Sequence, residues 1–72
     1  MKKCIQVKSN EQFQCCVMNQ IEVDVWFQEE YELTARIIEF NSEVIKFSGG
    51  YFIRENIEIY VHGNLFRVLN KI

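Results

Sequence analysis

The sequence predicts an all-β domain, either a small, strongly bent β-barrel or a curled antiparallel sheet. Apolar and polar residues alternate along most of the chain, which is the period of a half-buried strand. Turn-forming residues interrupt the alternation at short intervals, and the alternation changes phase once inside a long strand. The 72 residues are predicted to form one domain, spanning residues 1–72.

Residues 9–18, which follow a short predicted first strand, fit two structures. The alternation that starts at Phe13, together with the low helix propensity of Phe, Cys and Val, favours a hairpin that turns at residues 9–12. Ser9 and Gln12 instead have the spacing of a helix capping box. A short N-terminal helix is therefore the alternative to the hairpin.

The middle of the chain is predicted to form two strands, the second of them bent. Residues 21–27 alternate cleanly and predict a strand, and the polar residues 28–30 predict a turn. The next strand alternates from Tyr31, but its phase slips at Ile37-Ile38. Such a slip indicates a bulge or sharp bend between residues 31 and 40, which a small barrel needs in order to close.

The rest of the chain predicts four short strands joined by tight turns. The turns are expected at 41–42, 48–50 and 62–64, and the strands at 44–47, 51–54, 57–61 and 65–69. Arg54-Glu55-Asn56 forms a polar knuckle between two of these strands. The knuckle is either a tight turn or an element that faces a ligand.

Composition and charge narrow the possible partners. The chain is small and contains no proline, so it predicts a globular domain with a modest core that gains stability by forming a homo-oligomer. The net charge is −2, and Arg36 is the only base between Glu11 and Glu43. A strongly basic face is not apparent, so double-stranded DNA is not expected as a partner.

The three cysteines, Cys4, Cys15 and Cys16, predict reduced thiols and a cytoplasmic location. Their number is odd, and no Cys-x-x-Cys pair is present. Neither a metal site nor a cofactor is predicted, because the cysteines and the single histidine, His62, lack a ligand spacing. No apolar run follows the basic start of the chain, so neither a signal peptide nor a membrane span is expected.

In residues 21–61, an alternating strand and a turn lead through Tyr31, Leu33, Ala35 and Ile37 to Phe40-Asn41, and Arg54-Glu55-Asn56 precedes another strand. This layout resembles the Sm-like fold, including its bacterial Hfq branch, and the YolD-like family of bacilli shares it. The segment V-D-V-W-F-Q-E-E-Y-E-L-T-A-R-I-I-E-F-N-S is similar to the first Sm motif, an alternating strand and turn followed by an aromatic-x-Leu pattern and a closing Phe-Asn. The segment F-I-R-E-N-I-E-I-Y is similar to the second motif. Glu55 stands where that motif has glycine, and the Lys-His pair of Hfq is missing.

The resemblance implies an Sm-like or SH3-like barrel that assembles into a ring and binds single-stranded RNA. Through the family, Asn41, Arg54 and Asn56 would face the nucleotide, and Phe40, or Ser42 beside it, would supply contacts around the base. An acid at Glu55 would repel phosphate, so the resemblance supports the fold more than the RNA binding.

Two side chains have a role suggested by the residue pattern itself. Trp26 lies on the polar phase of its strand, so it is either covered by the N-terminal segment or exposed for a partner. Arg54 either bonds locally, to Glu55, Glu58 or a turn carbonyl, or contacts a phosphate or base.

These observations favour a non-catalytic, cytoplasmic interaction module that self-associates and binds a protein partner. The alternative is an Sm-like protein that binds single-stranded RNA as an oligomeric ring. An enzyme is not expected, because no catalytic set is apparent. The carboxylates of Asp24, Glu29 and Glu30 are typical of a solvated loop rather than of an acid–base pair.

Overall fold

The computed structural model describes residues 4–62, which form two antiparallel sheets and one helix. The elements are β1 (Cys4–Val7), α1 (Asn10–Met18), β2 (Glu22–Phe27), β3 (Glu30–Arg36), β4 (Glu39–Phe40), β5 (Val44–Phe47), β6 (Gly50–Ile53) and β7 (Ile57–His62), with a 3-10 turn (Arg54–Asn56) before β7. The prediction of a mainly antiparallel β-structure is confirmed.

The strands divide into a four-stranded sheet A, with the order β1-β7-β2-β3, and a three-stranded sheet B, with the order β4-β5-β6. Val25 of β2 and Val7 of β1 both align with Ile59, so β7 is paired along both of its edges. Within residues 4–62 the strands form two sheets and not one closed barrel.

The predicted bend between residues 31 and 40 is present. Residues 37–38 separate β3 of sheet A from β4 of sheet B. Ile37 is buried, whereas the neighbouring Ile38 is 55% exposed and its amide donates to the carbonyl of Lys46 at 2.8 Å. The phase slip in the sequence therefore marks the place where the chain passes from one sheet to the other.

The prediction of a hairpin turning at residues 9–12 is wrong, and the helix that was its alternative forms instead. The amide of Gln12 donates to Ser9 Oγ at 3.1 Å, and the amide of Ser9 donates to Gln12 Oε1 at 3.2 Å. This reciprocal capping box satisfies amides at the start of α1. The helix also buries Phe13, Cys15 and Cys16, which outweighs the weak helix propensities of these residues.

The core lies between the inner faces of the two sheets and α1. Its fully buried side chains are Cys16, Val23, Val25, Ile45, Ile59 and Val61. Burial, with a smaller contribution from Cys15, raises the pKa of the Cys16 thiol to about 11. The Cys16 thiol is therefore protonated at neutral pH, and this residue acts as a small apolar side chain.

The second half of the chain follows the predicted strands at 44–47, 51–54 and 57–61 closely, as β5, β6 and β7. His62 belongs to β7 rather than to a turn. The rest of the predicted turn at 62–64 and the strand predicted at 65–69 lie outside the described residues. Within residues 4–62, no helix has the length and apolar character needed to cross a membrane.

Candidate functional site

The outward side of sheet A carries aromatic side chains next to carboxylates. Strand register places Trp26 of β2 opposite Tyr31 of β3 and Glu58 of β7, and places Asp24 opposite Thr34 and Tyr60. The alternate residues of β2 and β7 point into the core, so these side chains share the outer surface. We call this surface the Trp26 face, defined by Asp24, Trp26, Tyr31, Thr34, Glu58, Tyr60 and His62.

Trp26 is half-buried and is held by an edge contact with Tyr31. The two ring centroids are 5.9 Å apart, and the ring planes meet at 70°. Helix α1 packs on the opposite, core-facing side of sheet A, because its residues Phe13 and Cys16 belong to the core. The helix therefore does not cover Trp26. The part of the N-terminal segment that precedes Cys4 lies outside the described residues.

Two adjoining grooves border Trp26. The first groove has a volume of about 350 Å³ and is lined by Cys4, Asp24, Trp26, Glu29, Glu58 and Tyr60. The second groove has a volume of about 400 Å³, shares Trp26, Glu29 and Glu58 with the first, and extends to Glu55 and Asn56. Carboxylates therefore line both grooves, and no lysine or arginine within residues 4–62 belongs to either lining.

Hydrogen bonds fix the polar side chains of the Trp26 face. The Thr34 hydroxyl donates to Asp24 Oδ1 at 2.6 Å, and its oxygen lies 2.7 Å from the Tyr31 hydroxyl. Because Thr34 has one hydroxyl proton, Tyr31 is the donor in the second bond. His62 Nε2 lies 3.4 Å from the other oxygen of Asp24. The network connects β3, β2 and β7 across the surface.

Tyr60 and Glu58 form a second fixed pair on the same face. The Tyr60 hydroxyl donates to Glu58 Oε1 at 2.9 Å. This hydrogen bond, with smaller contributions from desolvation and from nearby negative charge, raises the pKa of Tyr60 above its usual value. Tyr60 therefore remains a neutral hydrogen-bond donor at neutral pH, and it keeps one Glu58 oxygen in place beside the first groove.

The turn between β2 and β3 positions Glu29. Gln28 and Glu29 both have positive φ, at 53° and 67°. Positive φ at both central residues belongs to the type I′ turn, which matches the twist of the flanking strands and favours Asn and Gly. Gln and Glu adopt this conformation at an energetic cost. The turn places the Glu29 side chain at both grooves.

A second group of predicted residues surrounds Arg54 at another place. We call Phe13, Phe40, Asn41 and Arg54 the Arg54 cluster. The guanidinium donates to the carbonyl of Asn41 at 2.8 Å and to that of Lys8 at 3.2 Å. Its central carbon lies 4.5 Å from the ring centroid of Phe13 and 5.8 Å from that of Phe40. Arg54 therefore bonds a turn carbonyl, as one of its predicted alternatives stated.

Asn41 shapes the turn between β4 and β5. Its side-chain oxygen accepts from the amides of Glu43 at 2.7 Å and Val44 at 2.9 Å. This is the local side-chain bonding that makes Asn common in turns. Asn41 and Arg54 thus both contribute to the fold at this point, and Arg54 joins the start of α1 to the end of β4.

The structure divides the five residues predicted as site residues into two sets. Phe40, Asn41 and Arg54 come together in the Arg54 cluster. Asn56 is exposed and lines the second groove with Trp26. Asn56 is therefore placed to contact a ligand that also contacts Trp26.

Sequence reasoning missed Tyr31, Glu58 and Tyr60 as neighbours of Trp26. Asp24 shares the polar phase of Trp26 in the predicted strand and lies within β2, although its carboxylate was assigned to a solvated loop. The even-numbered positions of β2 and β7 share the polar phase of Trp26, which is a local signal. Their proximity depends on the register between two distant strands.

The described residues and the comparisons assign no known chemistry to this chain. Within residues 4–62, no group of three or more His, Cys, Asp or Glu side chains is placed to hold a metal ion. No family model matches the chain, and no curated protein or solved structure matches it significantly. The functional interpretation therefore depends on the geometry of the Trp26 face and the Arg54 cluster.

Proposed function

We propose that the chain is a non-catalytic interaction module that binds a protein partner through the Trp26 face and self-associates. The observation that carries the proposal is Trp26, which is half-buried, held by Tyr31 and bordered by two grooves. Tryptophan and tyrosine side chains in fixed positions are typical anchors of protein interfaces. The hydrogen bonds around them reduce the entropy lost on binding.

Replacement of Trp26 by alanine tests this proposal. We expect a Trp26→Ala bait to lose about tenfold or more of the partner that wild type retains in quantitative affinity capture, because a tryptophan anchor contributes much of the binding energy. Ile38→Ala is the matched control, since it removes an exposed apolar side chain from the segment that joins β3 to β4. Equal retention of every partner by wild type and Trp26→Ala would contradict the proposal, once thermal unfolding shows that both are folded.

Self-association is proposed through the open edge of sheet B. In the described residues β6 pairs only with β5, and it exposes Tyr51 and Ile53. The unpaired backbone groups of such an edge can pair with the edge of a second copy. The small size of the domain makes this association favourable.

Light scattering at high micromolar concentration is expected to give a mass above that of one chain. Ile53→Lys should shift this mass toward the monomer, because a charged side chain on an edge strand opposes edge-to-edge pairing. Met18→Lys, which alters an exposed residue of α1, should leave the mass unchanged. A monomeric wild type would exclude self-association through this edge.

We also propose that the chain has an Sm-like or SH3-like barrel fold. Two features support it. The long strand bends at residues 37–38 and contributes to both sheets, and β7 returns after the 3-10 turn to pair with β2. Strong bends of this kind are how small sheets curl toward closure.

A ring that binds single-stranded RNA is the second candidate function. The convergence of Phe40, Asn41 and Arg54 supports it, because repetition around a ring would raise the effective concentration of weak sites. The protein-binding proposal is preferred because the guanidinium of Arg54 and the side-chain oxygen of Asn41 already have intramolecular partners. Phosphate contacts are strongest at low salt. If a filter retains no single-stranded oligonucleotide with the protein under that condition, RNA binding by a ring is excluded.

A further inference from the structure

The grooves on the Trp26 face have one sign of charge. Asp24, Glu29 and Glu58 line the first groove, and Glu55 adds a carboxylate to the second. Among the described residues 4–62, no lysine or arginine lines either groove. Like charges that border one concave surface reinforce each other and attract ligands of the opposite charge. The grooves are therefore complementary to a cation and unfavourable for a phosphate.

The aromatic side chains make the first groove suited to an organic cation. Trp26 and Tyr60 line it together with the three carboxylates. Aromatic rings attract lysine and arginine cations and also pack against their alkyl stems. Carboxylates accept short, charge-assisted hydrogen bonds from the lysine ammonium and the arginine guanidinium. A side chain with an apolar stem and a charged end matches both parts of this lining.

The carboxylates retain capacity to accept from a ligand. The hydrogen bond from Tyr60 uses one oxygen of Glu58. Asp24 accepts from Thr34 with one oxygen, and its other oxygen lies 3.4 Å from His62 Nε2. A carboxylate has two oxygens and about four acceptor positions. Glu58 and Asp24 are therefore held in place by these bonds and can still accept from a cationic donor.

We propose that the partner segment bound at the Trp26 face is basic, with a lysine or arginine side chain in the first groove. This inference rests on the proposed function and names the chemistry of its partner. The cation lies among Asp24, Glu29 and Glu58, and its alkyl stem packs against Trp26 and Tyr60. The segment continues along the second groove, where a further basic residue lies near Glu55.

Intrinsic fluorescence of the full chain measures this binding directly, because Trp26 is its single tryptophan. Three short peptides of equal length are titrated, with the same glycine–serine background and with either arginine, glutamine or glutamate at two positions. We expect a saturable change with the arginine peptide and none with the glutamate peptide. The affinity for the arginine peptide should fall severalfold from low to high salt, since salt screens exposed charges.

Variants that each remove one negative charge test where the cationic side chain of the peptide binds. Glu58→Gln keeps an oxygen that can accept from Tyr60, and we expect it to weaken arginine-peptide binding by about fivefold, which is about 1 kcal/mol. Glu39→Gln is the control, because Glu39 pairs with Lys46 at 3.1 Å in sheet B. The control variant should bind within about twofold of wild type, as an exposed charge away from the site does.

Two results would overturn the inference. One is equal affinity for the glutamine and arginine peptides, which would leave the Trp26 face as a binding surface without a preference for cations. The other is an unchanged Trp26 signal up to millimolar arginine peptide. The proposed function is contradicted by a different result. That result is equal retention of every partner by wild type and Trp26→Ala in affinity capture.

Discussion

Replacement of Phe13 by alanine is expected to lower the free energy of unfolding by about 3–5 kcal/mol, the usual cost of deleting a buried aromatic ring. Phe13 is 3% exposed, and its ring centroid lies 5.4 Å from that of Phe40. The guanidinium of Arg54 lies over the Phe13 ring. The substitution therefore leaves a cavity where α1 meets sheet B. Urea unfolding followed by circular dichroism measures the loss.

Met18→Ala is the matched control for Phe13→Ala. Both substitutions remove an apolar side chain from α1, but Met18 is 71% exposed. Its replacement should change the free energy of unfolding by no more than about 0.5 kcal/mol. If Phe13→Ala cost as little as Met18→Ala, α1 would not be packed against the core as the structure shows.

Arg54→Ala is expected to lower the free energy of unfolding by about 1–3 kcal/mol. The substitution removes two charge-assisted hydrogen bonds to the carbonyls of Asn41 and Lys8 and the contact with Phe13. An exposed ion pair with Glu55 or Glu58 would instead contribute about 0–1 kcal/mol. Arg54→Lys should recover little, because an ammonium lacks the planar fork that reaches both carbonyls. The measurement is again urea unfolding.

Arg36 provides the comparison for Arg54. Its guanidinium donates to Gln20 Oε1 at 3.2 Å between exposed side chains. Arg36→Ala should therefore change the free energy of unfolding by about 0.5 kcal/mol or less. Equal effects of Arg36→Ala and Arg54→Ala would show that the Arg54 cluster does not stabilise the fold.

The strands could be predicted where the signal is local. Alternation with a period of two requires only neighbouring residues, so β2, β5 and β7 were placed closely, and the slip at Ile37-Ile38 located the bend. Residues 10–18 carried two local signals at once. The capping box and the packing of Phe13 against Phe40 stabilise the helix. The packing is a tertiary contact, which a local pattern does not show.

The candidate site was predicted only in part because its geometry comes from distant pairings. The position of Trp26 on the polar phase of β2 was visible in the sequence. That Glu58 lies opposite Trp26 follows from the register of β2 against β7, which no local pattern fixes. The bond from Arg54 to the Lys8 carbonyl spans 46 positions in the chain and was equally inaccessible.

Amide chemical shifts recorded before and after addition of the arginine peptide locate the binding surface most directly. We expect the largest changes at the Trp26 indole, at Glu29 and at residues 57, 58 and 60, which line the two grooves. Residues of sheet B should change little. Changes confined to the Arg54 cluster or to β6, with the Trp26 indole unmoved, would contradict the assignment of binding to the Trp26 face.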